Sequence, residues 1–143
     1  MGLDVGQKNI GVALSDPDGR LAYSRGTIKR GKLARDLDEI ARIVEEEGVE
    51  RVVVGLPRSL SGALGPQAER VQRFGRALER RLSVPIVYWD ERLTTVAAQR
   101  GLREAGVPSR RAREVVDAVA ATLILQGYLD YLRNVGPDAD AGR

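Results

Sequence analysis

Three acidic residues stand at positions where a carboxylate calls for an explanation: Asp4, Glu91 and Asp117. Asp117 lies within VVDAVAATLILQGYL, a helical stretch with almost no other polar side chain, and at 3.6 residues per turn it shares a face with Ala120, Ala121, Ile124 and Tyr128. That face should pack on a sheet, where an isolated carboxylate costs several kcal/mol (about 3–5). It therefore needs a partner, either an arginine, a hydrogen-bond donor or a metal. Asp4 ends an apolar strand and precedes Val5-Gly6, so its carboxylate projects where the glycine lets a ligand or backbone come close. A turn-forming Asp before Gly is the alternative. Asp90-Glu91-Arg92 closes another strand just before Thr94-Thr95, which reads as a helix N-cap. These acids either favour the helix dipole or face a ligand at the carboxyl end of a parallel strand.

The chain contains no histidine and no cysteine. Imidazole triads, thiol nucleophiles, disulfides and structural zinc of the Cys/His kind are excluded. A metal held by carboxylates alone would be a hard ion, Mg2+ or Mn2+. Three carboxylates from separate elements suit two-metal phosphoryl chemistry, in which one ion activates water and another stabilises the leaving oxygen.

Charge points the same way. Residues 1–69 carry 10 basic and 11 acidic side chains, 70–113 carry 11 and 4, and 114–143 carry 2 and 5, so the middle segment alone is +7 within a chain of net charge +3. Twenty of the 23 basic residues are arginine, whose planar fork suits phosphate. Candidate phosphate contacts are Lys8, Arg58, Arg70, Arg73, Arg76, Arg80, Arg92, Arg110, Arg111 and Arg113; solvated helix faces are the alternative for the same residues.

The elements that must position these groups follow from periodicity. A strand end at MGLDVG, a strand at Asn9–Ser15 and another at Leu21–Ile28 after the Asp16-Pro17-Asp18-Gly19 turn make an antiparallel meander. Leu33, Leu37, Ile40, Ile43 and Val44 recur at helical spacing over Lys32–Glu47, and Gly48 supplies the stop. Arg51–Leu56 is a continuous β-branched run, as in a strand buried on both faces. A loop over Pro57–Gly65, a helix over Pro66–Leu82, a strand over Pro85–Trp89 and helices over Thr94–Ala105 and Arg113–Leu132 complete the pattern. The order β-β-β-α-β-α-β-α-α implies an α/β fold, a mixed five-stranded sheet with three antiparallel strands and then two parallel ones, flanked by helices. With 143 residues, 43% of them apolar, the chain forms one domain over residues 1–133, with a disordered Pro/Gly/Asp-rich tail over 134–143. No signal peptide or long apolar run is visible, so the expected location is cytoplasmic, away from membranes.

The segments GLDVGQKNIGVALSD, VVVGLPRSLSGALGPQAERVQRFGRAL, DERLTT and VVDAVAATLILQGYL resemble, in order and over nearly the whole chain to Leu132, the YqgF family, also called RuvX. That family is described as Holliday-junction-resolvase-like and as nucleases of the 16S rRNA precursor. The resemblance implies a ribonuclease H-like fold and a role in ribosome biogenesis, with pre-rRNA, branched DNA and the small-subunit precursor as partners. It also implies the acidic set, with Asp4 matching the first-strand aspartate, Glu91 the glutamate of the DER motif, and Asp117 the aspartate of the last helix. Gly55-Leu56-Pro57 and Gly62 match the strand-four loop. The sequence departs from the family at Asn9, where a basic residue is usual, and at Ala97 and Gln99, where acidic residues are usual. Alternatives are a branched-DNA resolvase, a non-catalytic RNA-binding assembly factor, and a sugar-kinase or actin-like ATPase, whose Asp-x-Gly loop Asp4-Val5-Gly6 imitates.

Overall fold

The computed structural model describes residues 1–58, 61–93 and 110–135, without the side chains of 110–115. Strands β1 (Gly2–Val5), β2 (Asn9–Ser15) and β3 (Ala22–Lys29) form the antiparallel meander. Helix α1 (Leu33–Glu46), strand β4 (Val52–Leu56), helix α2 (Pro66–Arg81), strand β5 (Ile86–Asp90), a 3-10 turn (Glu91–Leu93) and helix α3 (Arg110–Val135) follow. The sheet order is β3-β2-β1-β4-β5, with β1 antiparallel to β2 and parallel to β4, and β4 parallel to β5. This is the mixed sheet expected from the pattern of elements, with β1 at its centre.

Local signals account for the boundaries. Gly19 takes a positive φ of 67° in the β2–β3 turn, where the Asp16 side chain accepts hydrogen bonds from the backbone of Arg20 and Leu21. Helix α1 stops in a Schellman arrangement: Gly48 has φ 64°, and the Val49 N–H donates to Val44 O. Helix α2 opens with Pro66, whose missing N–H costs nothing in the first turn. Helix α3 begins three residues earlier than its apolar pattern suggests and continues through Val135. Asn134 and Val135, which composition places in the tail, thus belong to its last turn, before Gly136-Pro137. The expected helix over Thr94–Ala105 and residues 136–143 lie outside the described residues.

Strand alternation divides the interior into two layers. Leu3, Val5, Ile10, Val12, Leu14, Val52, Val54 and Leu56 face α1 and α2, packing on Ile40, Ile43, Val71, Phe74 and Leu78. The other face carries Ala13, Val53 and Trp89 against Ala120, Ala121, Ile124, Leu125, Tyr128 and Leu129 of α3. Among the described residues, no helix is long and apolar enough to cross a membrane.

Candidate active site

The α3 face of the sheet is paved with glycine. A Cβ built at Gly2 would lie 2.7 Å from Leu125 Cβ and 2.9 Å from Ala121 O; one at Gly11 would lie 2.1 Å from Asp117 O. Real side chains do not fit at such distances, so these positions let the helix backbone rest directly on the sheet. Ala120 and Ala121, both fully buried, complete the close approach from the helix side.

Asp4 occupies this floor. Its neighbours Leu3 and Val5 point to the α1/α2 layer, so alternation turns Asp4 toward α3, where it is fully buried. Across the β1–β2 ladder Asp4 pairs with Gly11. On the other side Gly2 pairs with Val53 and Leu3 with Val54, and the same parallel register continued by one residue sets Asp4 beside Gly55. Gly11 lies under the Asp117 backbone, and a Cβ at Gly55 would meet Glu91 Oε1 at 2.7 Å. Asp4 is therefore flanked on one strand by the position of Asp117 and on the next by the carboxylate of Glu91, with adjacent strands about 5 Å apart. Glu91 and Asp117 are 2% and 4% exposed.

These are the three positions singled out in the sequence, and the fold sets them at one end of the sheet. Among the described residues, however, no three acidic side chains stand close enough to hold a cation as they are. Each of the three residues engages a partner within the fold, and like charges in a buried corner repel. For Asp117 one partner is the Asn9 amide, whose Nδ2 donates to Oδ2 at 3.5 Å. The donor chemistry, three carboxylates and an amide, nonetheless fits a hard divalent ion.

Asp90 and Glu91 separate clearly. Asp90 holds Arg92 through Oδ1 and Oδ2, at 3.0 Å and 3.1 Å from Nε and 2.6 Å from Nη2. These hydrogen bonds hold the Asp90 carboxyl below its ordinary range. Glu91, in the 3-10 turn, is the one that turns inward over Gly55. The Arg92 guanidinium also lies against Gly62, where a Cβ would be 3.2 Å from Nη1.

The candidate phosphate contacts fall into three groups. Lys8, at the β1–β2 turn, and Arg58, just beyond β4, are exposed at the carboxylate end, where Arg92 also stands with its charge opposed by Asp90. Arg70, Arg73, Arg76 and Arg80 are exposed on α2, in the layer across the sheet from Asp4. The structure does not bring them to the carboxylates, because Ala68, Val71, Phe74 and Leu78 take the inward face of that helix. The side chains of Arg110, Arg111 and Arg113, in the first turn of α3, lie outside the described residues. Asn9 is legible in the sequence only as a departure from a pattern; its contact with Asp117 spans 108 positions, and no local signal reveals it.

The RuvX family, described as Holliday junction resolvase, matches residues 1–131. A protein of Moorella thermoacetica named "Putative pre-16S rRNA nuclease" is 57% identical over 136 residues, covering 95% of this chain and 97% of the relative. One of the same name from Heliobacterium modesticaldum is 50% identical over 130 residues, covering 91% and 87%. In three dimensions the chain resembles T. thermophilus RuvC in complex with Holliday junction substrate, with a TM-score of 0.59, 17% identity and 94% of each chain covered. At that identity the likeness concerns the fold, which is ribonuclease H-like. The chain belongs to the RuvX family.

Proposed function

We propose that this protein is a divalent-metal-dependent nuclease that hydrolyses phosphodiester bonds in structured nucleic acid, and that its substrate is the precursor of 16S rRNA within the small-subunit precursor, in the cytoplasm. The observation that carries the reading is the burial of Asp4, Glu91 and Asp117 on adjacent positions of one glycine floor. Family membership and the names of the relatives support the nuclease class and the rRNA substrate.

Asp4, Glu91 and Asp117 would hold Mg2+ or Mn2+. When bound, such ions supply Lewis-acid stabilisation of phosphoryl oxygens and a water acidic enough to attack at neutral pH, in a two-metal arrangement. The chain itself contributes position. Asp4 is fixed by ladders on both sides of β1, Asn9 steadies Asp117, and the 3-10 turn aims Glu91 across Gly55. Ile124, fully buried beside Glu91, keeps water from the base of the site and so strengthens charge interactions there. Lys8 and Arg58, exposed at the same end, offer positive charge to the phosphates that flank a scissile bond.

The test is incubation of the protein with labelled 16S precursor fragments, single-stranded RNA and a four-way DNA junction, each with Mn2+, Mg2+ or EDTA. Metal-dependent cleavage of the precursor is expected. Cleavage confined to the junction would make the protein a DNA resolvase, and binding without cleavage in any metal would make it an assembly factor.

A further inference from the structure

The loop that joins Asp4 to Asn9 is a tight turn, Gly6-Gln7-Lys8, closed by the Gly6 N–H donating to Asn9 O at 2.9 Å. Two of its carbonyls are held from outside by one residue. The Arg30 N–H donates to Lys8 O at 2.8 Å, and Arg30 Nη1 donates to Gly6 O at 2.9 Å. Arg30 is itself secured. Its guanidinium lies 5.0 Å from the centre of the Phe74 ring, and its Nε is 3.5 Å from Oδ2 of Asp36, whose side chain is fully buried. Both Asp36 oxygens accept the Gly31 N–H, at 3.1 Å and 3.2 Å, and Arg35 Nη2 stands 3.9 Å away.

An ion pair buried at one end only, as here, adds little net stability, since desolvation and solvent screening offset attraction; its best use is to specify one geometry. The geometry specified here is that of the turn. We propose that Arg30, anchored by Asp36, is a positioning residue that sets the β1–β2 turn so that the exposed Lys8 meets a phosphate of nucleic acid lying over the carboxylates. This inference rests on the nucleic-acid reading of the site. Arginine is required because a planar fork can stack on Phe74, stand beside Asp36 and reach Gly6 O together, whereas a lysine ammonium, a single compact charge on a flexible stem, cannot. Arg30 serves indirectly: its charge is balanced by Asp36, and the phosphate contact is made by Lys8.

A double-mutant cycle tests this. The dissociation constant for a labelled, structured 16S precursor fragment is measured in EDTA, over a salt series, for the full chain, Lys8→Ala, Arg30→Lys and the double variant, with thermal melts to verify folding. Lys8→Ala should weaken binding roughly three- to tenfold and flatten the salt slope by about one. Arg30→Lys, which leaves net charge unchanged, should weaken it in the same way, and the double variant should be no weaker than Lys8→Ala within about twofold. Amide exchange at Gly6 to Asn9 should quicken about tenfold in Arg30→Lys. Asp36→Asn is the second variant should Arg30→Lys fold poorly, and should shift binding and exchange in the same direction. Normal binding by a folded Arg30→Lys protein, or losses that multiply in the double variant, would overturn the proposal alone. A full chain that binds no RNA would overturn the functional reading and this inference together, while the exchange rates would still show whether Arg30 holds the turn.

Discussion

The two faces of the sheet are built on opposite principles. Toward α1 and α2 every strand presents a large side chain, and Leu3, Ile10, Val12, Val52 and Val54 interlock with Ile40, Val71 and Leu78 as a conventional close-packed core. Toward α3 the same strands present Gly2, Asp4, Gly11 and Gly55, and the helix answers with Ala120, Ala121 and Asp117. The first face stabilises the domain by burying apolar area. The second gives up part of that burial to set backbone against backbone around three carboxylates. On the proposed reading, stability and chemistry reside on different sides of one five-stranded sheet, and substitutions should sort accordingly.

The widest contrast is expected at Asp117. Asp117→Asn removes charge with little change of shape, so it should lower metal-dependent cleavage by at least about a hundredfold, the order found when a group that stabilises developing charge is removed. In EDTA the melting temperature should stay close to that of the full chain, because an amide oxygen at this position can still accept the Asn9 hydrogen bond. A large loss of stability in EDTA with cleavage retained would show instead that Asp117 anchors the fold. Leu78→Ala, on the other face, should behave inversely, costing about 2–5 kcal/mol in denaturant melts while leaving kcat at low temperature close to that of the full chain.

Gly11→Ala probes the boundary between the two regions. Its Cβ would stand 2.1 Å from the Asp117 carbonyl oxygen, a backbone atom that cannot rotate away, so α3 must shift. About 1–3 kcal/mol of destabilisation is expected together with reduced cleavage. A variant as stable and active as the full chain would mean that the helix does not rest on the sheet at this point.

Much of this architecture is legible in the amino-acid sequence, and the reason differs from residue to residue. Strand alternation in NIGVALS, the helical spacing of Leu33 to Val44, and Gly48 as a stop are local signals, and each described element falls within a few residues of its expected place. Asp117 stands out because its neighbours in sequence are apolar, and Ala120 and Ala121 foretell the close approach of α3. Half of that approach is hidden, because Gly2, Gly11 and Gly55 come from three strands and become one floor only when β2, β1 and β4 align. The arginines of α2 can be counted in the sequence but not placed, since which side of the sheet a helix takes depends on chain crossover rather than on its own residues. Composition assigns Asn134 and Val135 to the tail, yet the helix includes both.

The smallest expected effect belongs to the Asp90 and Arg92 pair at the site's rim. Hydrogen bonding from the Arg92 side chain, and then from its backbone N–H and nearby positive charge, holds the Asp90 carboxyl below its ordinary 3.8. A carboxyl depressed in the folded state contributes stability in full above its unfolded pKa and loses it as pH falls through the folded value. The stability difference between the full chain and Asp90→Asn should thus be constant from about pH 5 to 8, amount to less than about 1 kcal/mol at this exposed site, and shrink below about pH 4. A difference that grew on acidification would mean that the pair does not form.

The central claim, that Asp4, Glu91 and Asp117 are ligands of one divalent-ion site, is tested most directly by anomalous diffraction from crystals grown with Mn2+. Manganese density is expected within about 2.3 Å of oxygens from all three carboxylates, which must draw together to hold the ion. Density at another set of residues, or its absence here under conditions in which the same protein cleaves RNA with Mn2+, would contradict it.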